Sequence, residues 1–269
     1  MKPRGWTYEI CDAVKAQVML RIELDETDRQ LSASKQCAEA VHVALDRGLS
    51  LIGANLNEIA ADEIDMSHAE LMGTAIRNAS LRRAKLDGAN FIGADLSSTD
   101  FTDASLIGAR FCGAIMNQVC LRGADLRGAN LSGAVMMNAD LTGAELNGAT
   151  MNGALCTGAI FDSCDLGSAT CFGAEMKHAR FEGAHWQNIP LTRRPIRVSG
   201  LDYDVTLLDQ HIVVGSTMLT WSDLARLEER EAVARGGVRA LRFIRSFKGV
   251  LESLFACKEL VRDVPQVKI

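Results

Sequence analysis

The sequence of 269 residues lacks an excess of positive charge, since 29 Lys and Arg residues stand against 34 Asp and Glu residues, for a net charge of -5. This balance excludes the basic composition of a nucleic-acid-binding domain. The sequence also lacks an apolar run of about 18 residues, which a transmembrane helix needs, and the N-terminal apolar run of a signal peptide. With 48% hydrophobic residues, the composition indicates a folded domain, and we expect a soluble, cytoplasmic protein.

The sequence also lacks recognisable motifs of catalytic, metal-binding or phosphate-binding sites. The eight cysteines include no C-x-x-C pair and none of the spacings of a zinc site, which favours buried thiols in a reducing compartment. The five histidines are scattered, and no Ser, Cys or carboxylate near them forms a known nucleophile or metal motif. The repeated Gly-Ala pairs lack the order of a phosphate-binding loop. The sequence therefore predicts no enzymatic activity, no cofactor and no metal site.

What the sequence does contain is a five-residue period, clearest in "LRGADLRGANLSGAVMMNADLTGAELNGAT" at residues 121 to 150. Of the 29 positions spaced by five from Leu51 to Leu191, 26 carry Leu, Met, Phe, Ile or Trp. Two residues before these centres, 21 of the 29 positions are Ala. Neither a helix, with a period of about 3.6, nor a strand, with a period of about 2, explains this pattern. One large and one small inward residue in every five indicates a chain that turns a corner at each block.

Such blocks bury their apolar side only by stacking, which predicts a solenoid. If four blocks make one coil, positions 20 residues apart stack on one another. Leucines then form an unbroken column, and phenylalanines pair in others. The cysteines at the inward positions 156, 164 and 171 are then expected in the core. The column consists of Leu86, Leu106, Leu126, Leu146 and Leu166.

These tandem "A-D/N-L-x-G" blocks resemble the pentapeptide-repeat family over residues 49 to 191. The resemblance implies a right-handed quadrilateral β-helix of about seven coils, hence an all-β solenoid with α-helical flanks. At ~4.8 Å per coil, its length is roughly 34 Å. The segment "LNEIAADEIDMSHAE" departs from the pattern by placing Ile59 and Ile64 at small positions and Ala61 at a large one. We therefore expect the first coils to be irregular.

The flanking segments have other patterns. Residues 1 to 48 are expected to form a hairpin and a helix that cap the first coil, because the helical segment begins at a Ser and stops at Gly48. Residues 192 to 269 are expected to form short strands within "YDVTLLDQHIVVG" and two helices, the first capped near Thr220 or Ser222. The flanks also loosely resemble end segments of phage and prophage pentapeptide-repeat proteins, so a phage or prophage origin is one interpretation.

Outward positions are mostly polar, and their carboxylates are interpreted as a solvated rim (Asp95, Asp125, Asp140, Asp165 and Glu175). One edge is apolar instead, with one column of Ile52, Met72, Ile92 and Cys112 beside a second of Ile115, Val135 and Leu155. Large exposed apolar surfaces are typical of interfaces. The candidate partner-binding residues are therefore Met72, Ile92, Ile115, Val135 and Leu155. Coverage of this edge by a flank of the same chain is the alternative.

The last candidate surface is an amphipathic helix predicted over residues 237 to 262. Its apolar residues recur at spacings of three and four. We expect this face to pair with a second copy in a homodimer, with docking on the chain's own rod or on an anionic membrane as alternatives. The candidate oligomerisation residues are Leu241, Ile244, Phe247, Leu251 and Leu254.

Two classes of function remain. The first is a non-enzymatic, rigid module that presents flat faces and an apolar edge to a protein partner. The second, implied by the family resemblance alone, is a DNA mimic that occupies the DNA-binding groove of a type II topoisomerase such as DNA gyrase, or of another DNA-binding protein. Residues 49 to 191 carry 16 acidic and 9 basic residues, for a net charge of -7, but basic residues interrupt the acidic columns. The sequence therefore favours the binding module, with neither nucleic acid nor membrane as a direct ligand.

Overall fold

The computed structural model describes residues 6–171, 174–186, 189–190, 196–198, 205–207, 211–214 and 217–220. The chain divides into two compact units, Met1–Thr192 and Arg193–Ile269. The first unit contains an N-terminal hairpin, a helix and the repeat segment. The second contains a small sheet.

The hairpin consists of the antiparallel strands β1 (Trp6–Cys11) and β2 (Val18–Leu24). A short 3-10 helix (Glu26–Gln30) leads to helix α1 (Ala33–Asp46). The helix begins where the Ser32 side chain accepts a hydrogen bond from the Lys35 N–H, and it ends before Gly48, whose φ of 65° is readily adopted only by glycine. Its apolar face is buried and consists of Cys37, Ala40, Val41 and Ala44.

Each block of the repeat is one tight turn. In the block centred on Leu126, the carbonyl of Leu126 accepts from the N–H of Ala129 at 3.0 Å, and Gly128 has a φ of 66°. These are the features of a type II turn, which requires positive φ at its third residue. The N–H of Leu126 in turn donates to the carbonyl of Glu145 in the following coil at 2.8 Å.

Parallel bridges connect residues 20 apart from Asn55 to His185, so that four blocks form one coil. The fold is the right-handed quadrilateral β-helix that the family resemblance implies. The predicted leucine column from Leu86 to Leu166 is fully buried. Phe91 stacks on Phe111 with ring centroids 5.1 Å apart, which confirms that like residues share columns.

The prediction that the first coils are irregular is wrong. Glu58 and Glu63 take the positive φ of the turn, at 61° and 64°, and the bridges there keep the 20-residue step. Ile59 at a small position and Ala61 at a large one are both buried, so the core accommodates these departures without losing the frame. An irregular turn lies near the other end, where the positive φ, 33°, falls on Gly167, directly after the block centre Leu166, instead of two residues after the centre as at Gly128.

The N-terminal elements bond directly to the first coil. The N–H of Ala13 donates to the carbonyl of Gly53 at 2.7 Å, and the N–H of Asn55 donates to the carbonyl of Cys11 at 2.7 Å. These bonds occupy backbone groups that an open first coil exposes. At the far end, β3 (His185–Trp186) pairs antiparallel with β4 (Ile189–Pro190).

The second unit contains an antiparallel sheet of four strands in sequential order, β5 (Ile196–Val198), β6 (Val205–Leu207), β7 (His211–Val214) and β8 (Thr217–Thr220). The sequence predicted the middle two and missed β5 and β8. Thr220, one of the two predicted cap residues, ends β8, and the rest of the two predicted C-terminal helices lies outside the described residues. Within the described part of the chain, no helix is long and apolar enough to cross a membrane.

Candidate protein-interaction surface

The outward carboxylates of the solenoid are bound by its own backbone. The Asp140 side chain accepts from the N–H of Thr142 at 3.0 Å, and Asp95 and Asp125 accept in the same way from the residue two positions later, Ser97 and Arg127. These three aspartates are half-buried rather than a solvated rim, so that interpretation is wrong for them. Aspartate is favoured before a turn because its side chain reaches the N–H two residues on.

Hydrogen bonds hold these carboxylates in the charged form. Burial raises the pKa of Asp95, but hydrogen bonds from Ser97 and Arg77 outweigh it and hold the pKa below its ordinary value. At Asp125 the main cause of a lowered pKa is the hydrogen bond from the Arg127 side chain. The acidic residues therefore help to fix the coils and are not simply free surface charge.

Arginines of neighbouring coils neutralise several of the carboxylates. Arg77 Nε lies 2.6 Å from Asp95 Oδ2, and Arg122 Nη1 lies 3.2 Å from Asp140 Oδ2. Arg180 pairs in the same way with Asp162. Because these arginines pair with carboxylates of an adjacent column and coil, the described acidic faces present no continuous row of unpaired carboxylates.

The predicted apolar edge exists as one continuous surface. Ile115 and Leu155 are 40% and 38% exposed, and bridges to both place the half-buried Val135 between them. At the N-terminal end, Ile52 and Met72 are exposed, while Ile92 and Cys112 are half-buried. The sequence pattern missed Met137, which is 40% exposed at the corner next to Val135. We call this surface the apolar strip (Ile52, Met72, Ile92, Cys112, Ile115, Val135, Met137 and Leu155).

The hairpin adds one residue that sequence reasoning did not assign to this surface. Val14, at the tip of the hairpin, is 89% exposed. It follows Ala13, whose N–H bonds to Gly53, so the tip lies beside the corner that carries Ile52. Val14 therefore lies beside the N-terminal end of the strip, a proximity that depends on tertiary structure.

The corners beside the strip are uncharged in its C-terminal half, and the exposed Glu175 follows Leu155 at the C-terminal end of its column. The corner positions on either side of Ile115, Val135 and Leu155 carry only neutral side chains, and the nearest acidic residue of their own column towards the N-terminus, Asp95, is paired with Arg77. Association through this surface therefore depends on apolar burial more than on charge. The neutral corner residues are Cys112, Ser132 and Asn152 on one side and Asn117, Met137 and Thr157 on the other.

Other candidate groups are not assembled into a reactive site. Burial raises the pKa of the Cys156 and Cys164 thiols to about 12 in each case, so both remain protonated. His178 and His185 are exposed at outward positions. Among the described residues, no group of three or more His, Cys, Asp or Glu side chains is placed to hold a metal ion. The five candidate oligomerisation residues, Leu241 to Leu254, lie outside the described part of the chain.

Comparison with known proteins identifies the repeat. The family model described as "Pentapeptide repeats" matches residues 50–87, 79–118 and 120–155, with eight copies. No curated protein sequence matches the chain.

Three solved structures illustrate the structural matches. Rfr23, a pentapeptide repeat protein from the cyanobacterium Cyanothece 51142, is 20% identical over 44% of this chain and 90% of that chain, with a TM-score of 0.31. Full-length QnrB1, a plasmid-mediated fluoroquinolone resistance protein, is 18% identical over 51% of this chain and 86% of that chain, with a TM-score of 0.33. HetL, a pentapeptide repeat protein from the cyanobacterium Nostoc sp. strain PCC 7120, is involved in heterocyst differentiation regulation. It is 23% identical over 56% of this chain and 97% of that chain, with a TM-score of 0.19.

Proposed function

Because the chain belongs to the pentapeptide-repeat family, we propose that its solenoid is a non-enzymatic module that binds a protein partner through one face. The observation that carries this proposal is the apolar strip. Outward positions elsewhere on the solenoid are predominantly polar, whereas the strip places apolar side chains in adjacent coils. Single exposed apolar residues need no explanation, but a contiguous row of them bordered by polar residues is a feature of interaction sites.

A rigid scaffold supports this function. Each coil is hydrogen-bonded to the next along the ladder, and the interior is filled by close-packed leucine and phenylalanine columns. The strip is therefore held in its binding geometry before a partner arrives, which lowers the entropic cost of association. The buried, protonated thiols of Cys156 and Cys164 support a structural rather than a catalytic role for these two residues. Cys171, which was also expected in the core, is half-buried. We place this activity in the cytoplasm.

Capture of the partner from the native host, followed by mutagenesis, tests the proposal. Val135→Asp puts a charge between Ile115 and Leu155 and is expected to reduce capture of the partner at least tenfold. Ile107→Asp is the matched control, because Ile107 is a 37% exposed apolar residue outside the strip. If Val135→Asp and Ile107→Asp capture the partner equally well, the strip is not the binding surface.

The net charge of -7 on residues 49 to 191 favours a second candidate, a DNA mimic that binds a type II topoisomerase. A mimic needs rows of free carboxylates at phosphate-like spacing. Pairing of Asp95 with Arg77, and of Asp140 with Arg122, opposes such a row. The test is a gyrase supercoiling assay with the purified protein. We expect no inhibition at micromolar concentration, and inhibition well below that would place the mimic first.

The module is proposed to act as a homodimer. The sequence of residues 237 to 262 predicts an amphipathic helix whose apolar face pairs with that of a second copy. Such pairing doubles the number of strips in one particle and raises the avidity for a partner that is itself repeated or dimeric.

A further inference from the structure

The dimensions of the apolar strip restrict what it can bind. From Ile52 to Leu155 it advances by five coils, which is ~24 Å at the ~4.8 Å spacing between strands. Its residues lie in neighbouring columns, first Ile52 to Cys112 and then, three residues further along the coil, Ile115 to Leu155, with Met137 beside them. No coil contributes strip residues more than three positions apart, so the strip is at most ~10 Å wide in any coil. The surface is therefore long and narrow, and it shifts by one column partway along.

This shape is too small to hold two copies of the solenoid together face to face. A patch of ~24 by ~10 Å covers roughly 240 Å², whereas a stable interface buries about 800 Å² of each partner. The neutral corner residues beside Ile115, Val135 and Leu155 add no charge pairs to a contact between two copies. The strip alone therefore does not account for a contact between two solenoids, whereas its width of ~10 Å is close to the ~10 to 12 Å diameter of a single α-helix.

An extended peptide does not fit either. The backbone groups beneath the strip are already bonded between coils. The N–H of Val135 donates to Ala114 at 2.9 Å, and its carbonyl accepts from Met116 at 2.7 Å. Addition of a strand needs unpaired backbone groups at a sheet edge, and this face offers side chains alone.

An α-helix satisfies its own backbone and needs only a side-chain surface. Its apolar stripe repeats about every 5.4 Å, close to the ~4.8 Å step of the coils, and ~24 Å corresponds to roughly 16 helical residues. We propose that the apolar strip docks one amphipathic α-helix of the partner protein, laid along the solenoid axis. This inference rests on the proposed binding function and specifies the class of partner. The neutral borders favour a helix whose apolar stripe is flanked by uncharged polar residues.

The test uses the full chain and two fluorescent synthetic peptides of 18 residues with the same leucine, glutamine and alanine content. In the helical peptide leucine recurs at alternating spacings of four and three, and in the strand peptide at every second residue. Anisotropy measures binding, and mass spectrometry measures alkylation of Cys112 in the strip against Cys120 on another face, both of which are half-buried.

We expect the helical peptide to bind at least tenfold more tightly than the strand peptide and to slow alkylation of Cys112 but not of Cys120. Ile115→Asp is expected to weaken binding at least tenfold, while Ile107→Asp changes it less than twofold. These two isoleucines are 40% and 37% exposed, which makes the variants a matched pair. A change of less than twofold between low and high salt is expected from the neutral borders.

Several outcomes overturn the helix inference. The inference is wrong if the strand peptide binds as tightly as the helical peptide or more tightly. It is also wrong if the Ile115→Asp variant has the wild-type circular dichroism spectrum and still binds the helical peptide with unchanged affinity. If the wild-type protein is a dimer and the Ile115→Asp variant is a monomer, the occupant of the strip is a second copy of this chain. Faster Cys112 alkylation after joint Leu241→Asp and Leu251→Asp substitution identifies the chain's own C-terminal segment. If neither peptide binds but Val135→Asp still impairs capture of the native partner, the helix inference fails and the proposed function stands.

Discussion

Arg77 and Asp95 belong to successive coils, and the Nε of Arg77 lies 2.6 Å from Oδ2 of Asp95. The same aspartate accepts the backbone N–H of Ser97 at 3.1 Å through its other oxygen. One carboxylate thus fixes a turn within its own coil and pairs with a base of the preceding one. Formal charge is a poor measure of what such a solenoid offers a partner, because several of its acidic groups are already engaged.

This arrangement predicts a loss of stability in acid. The pKa values of Asp95, Asp125 and Asp140 are lowered in the folded protein. Groups with a lowered folded-state pKa contribute stability above the unfolded value of about 3.9, and lose it as the pH falls through the folded-state value. The urea midpoint is therefore expected to be constant near neutrality and to fall below about pH 4.

Asp140→Asn provides the control for the acid effect. Asparagine keeps an acceptor for the N–H of Thr142 but cannot be protonated or pair with Arg122 as a charge. We expect a lower midpoint at pH 7 and a smaller decrease towards pH 3 than in the wild type. A wild-type midpoint that does not change between pH 5 and pH 3 contradicts the proposed role of these aspartates.

The leucine column predicts a large effect of core truncation. Leu126 is fully buried between Leu106 and Leu146, and the hydrogen-bonded coils leave little freedom for collapse around a cavity. Leu126→Ala is therefore expected to lower the free energy of unfolding by about 2 to 5 kcal/mol. Leu155→Ala, in the strip, is the matched control and is expected to change it by less than about 0.5 kcal/mol. Equal effects in urea unfolding would show that Leu126 is not a core residue.

The turns predict a separate effect of backbone strain. Gly128 has a φ of 66°, and a methyl group added there meets no atom within 4 Å. Gly128→Ala is therefore expected to cost about 1 kcal/mol from the left-handed conformation alone. Gln118 adopts the same conformation, with a φ of 56°, so Gln118→Gly is expected to be neutral or stabilising. Thermal denaturation of both variants measures the difference. Destabilisation by Gln118→Gly would show that contacts of the Gln118 side chain outweigh backbone strain at this turn.

The five-residue period predicted the coil, its inward residues and the column to which each outward residue belongs, because each of these depends only on position in the frame. It did not predict how Asp95 is used, since that depends on an arginine 18 residues earlier and on the turn geometry. The irregular turn was also misplaced. Departures from the repeat pattern at Ile59, Ala61 and Ile64 suggested irregular first coils, but the coils there keep the regular turns and the 20-residue step.

Part of the candidate surface was predicted because membership of a column depends only on position in the five-residue frame. Ile115, Val135 and Leu155 share one column of the frame and were identified from spacing alone. Val14 lies in another element, and its position beside the strip follows from the hydrogen bond between Ala13 and Gly53. Met137 lies one corner away, where a single apolar residue in a polar column carries little signal in the sequence.

The final prediction concerns self-association. The predicted helix of residues 237 to 262, which lies outside the described residues, has an apolar face with two phenylalanines and several leucines. A face of this size is costly to leave exposed to water, and the narrow apolar strip does not hold two solenoids together. We therefore expect the full chain to sediment as a dimer at tens of micromolar and a version that ends near residue 236 to sediment as a monomer. Ile115→Asp is expected to remain a dimer, because the two surfaces are independent. A monomeric full chain would refute the dimer, and a dimeric truncated chain would place its interface elsewhere.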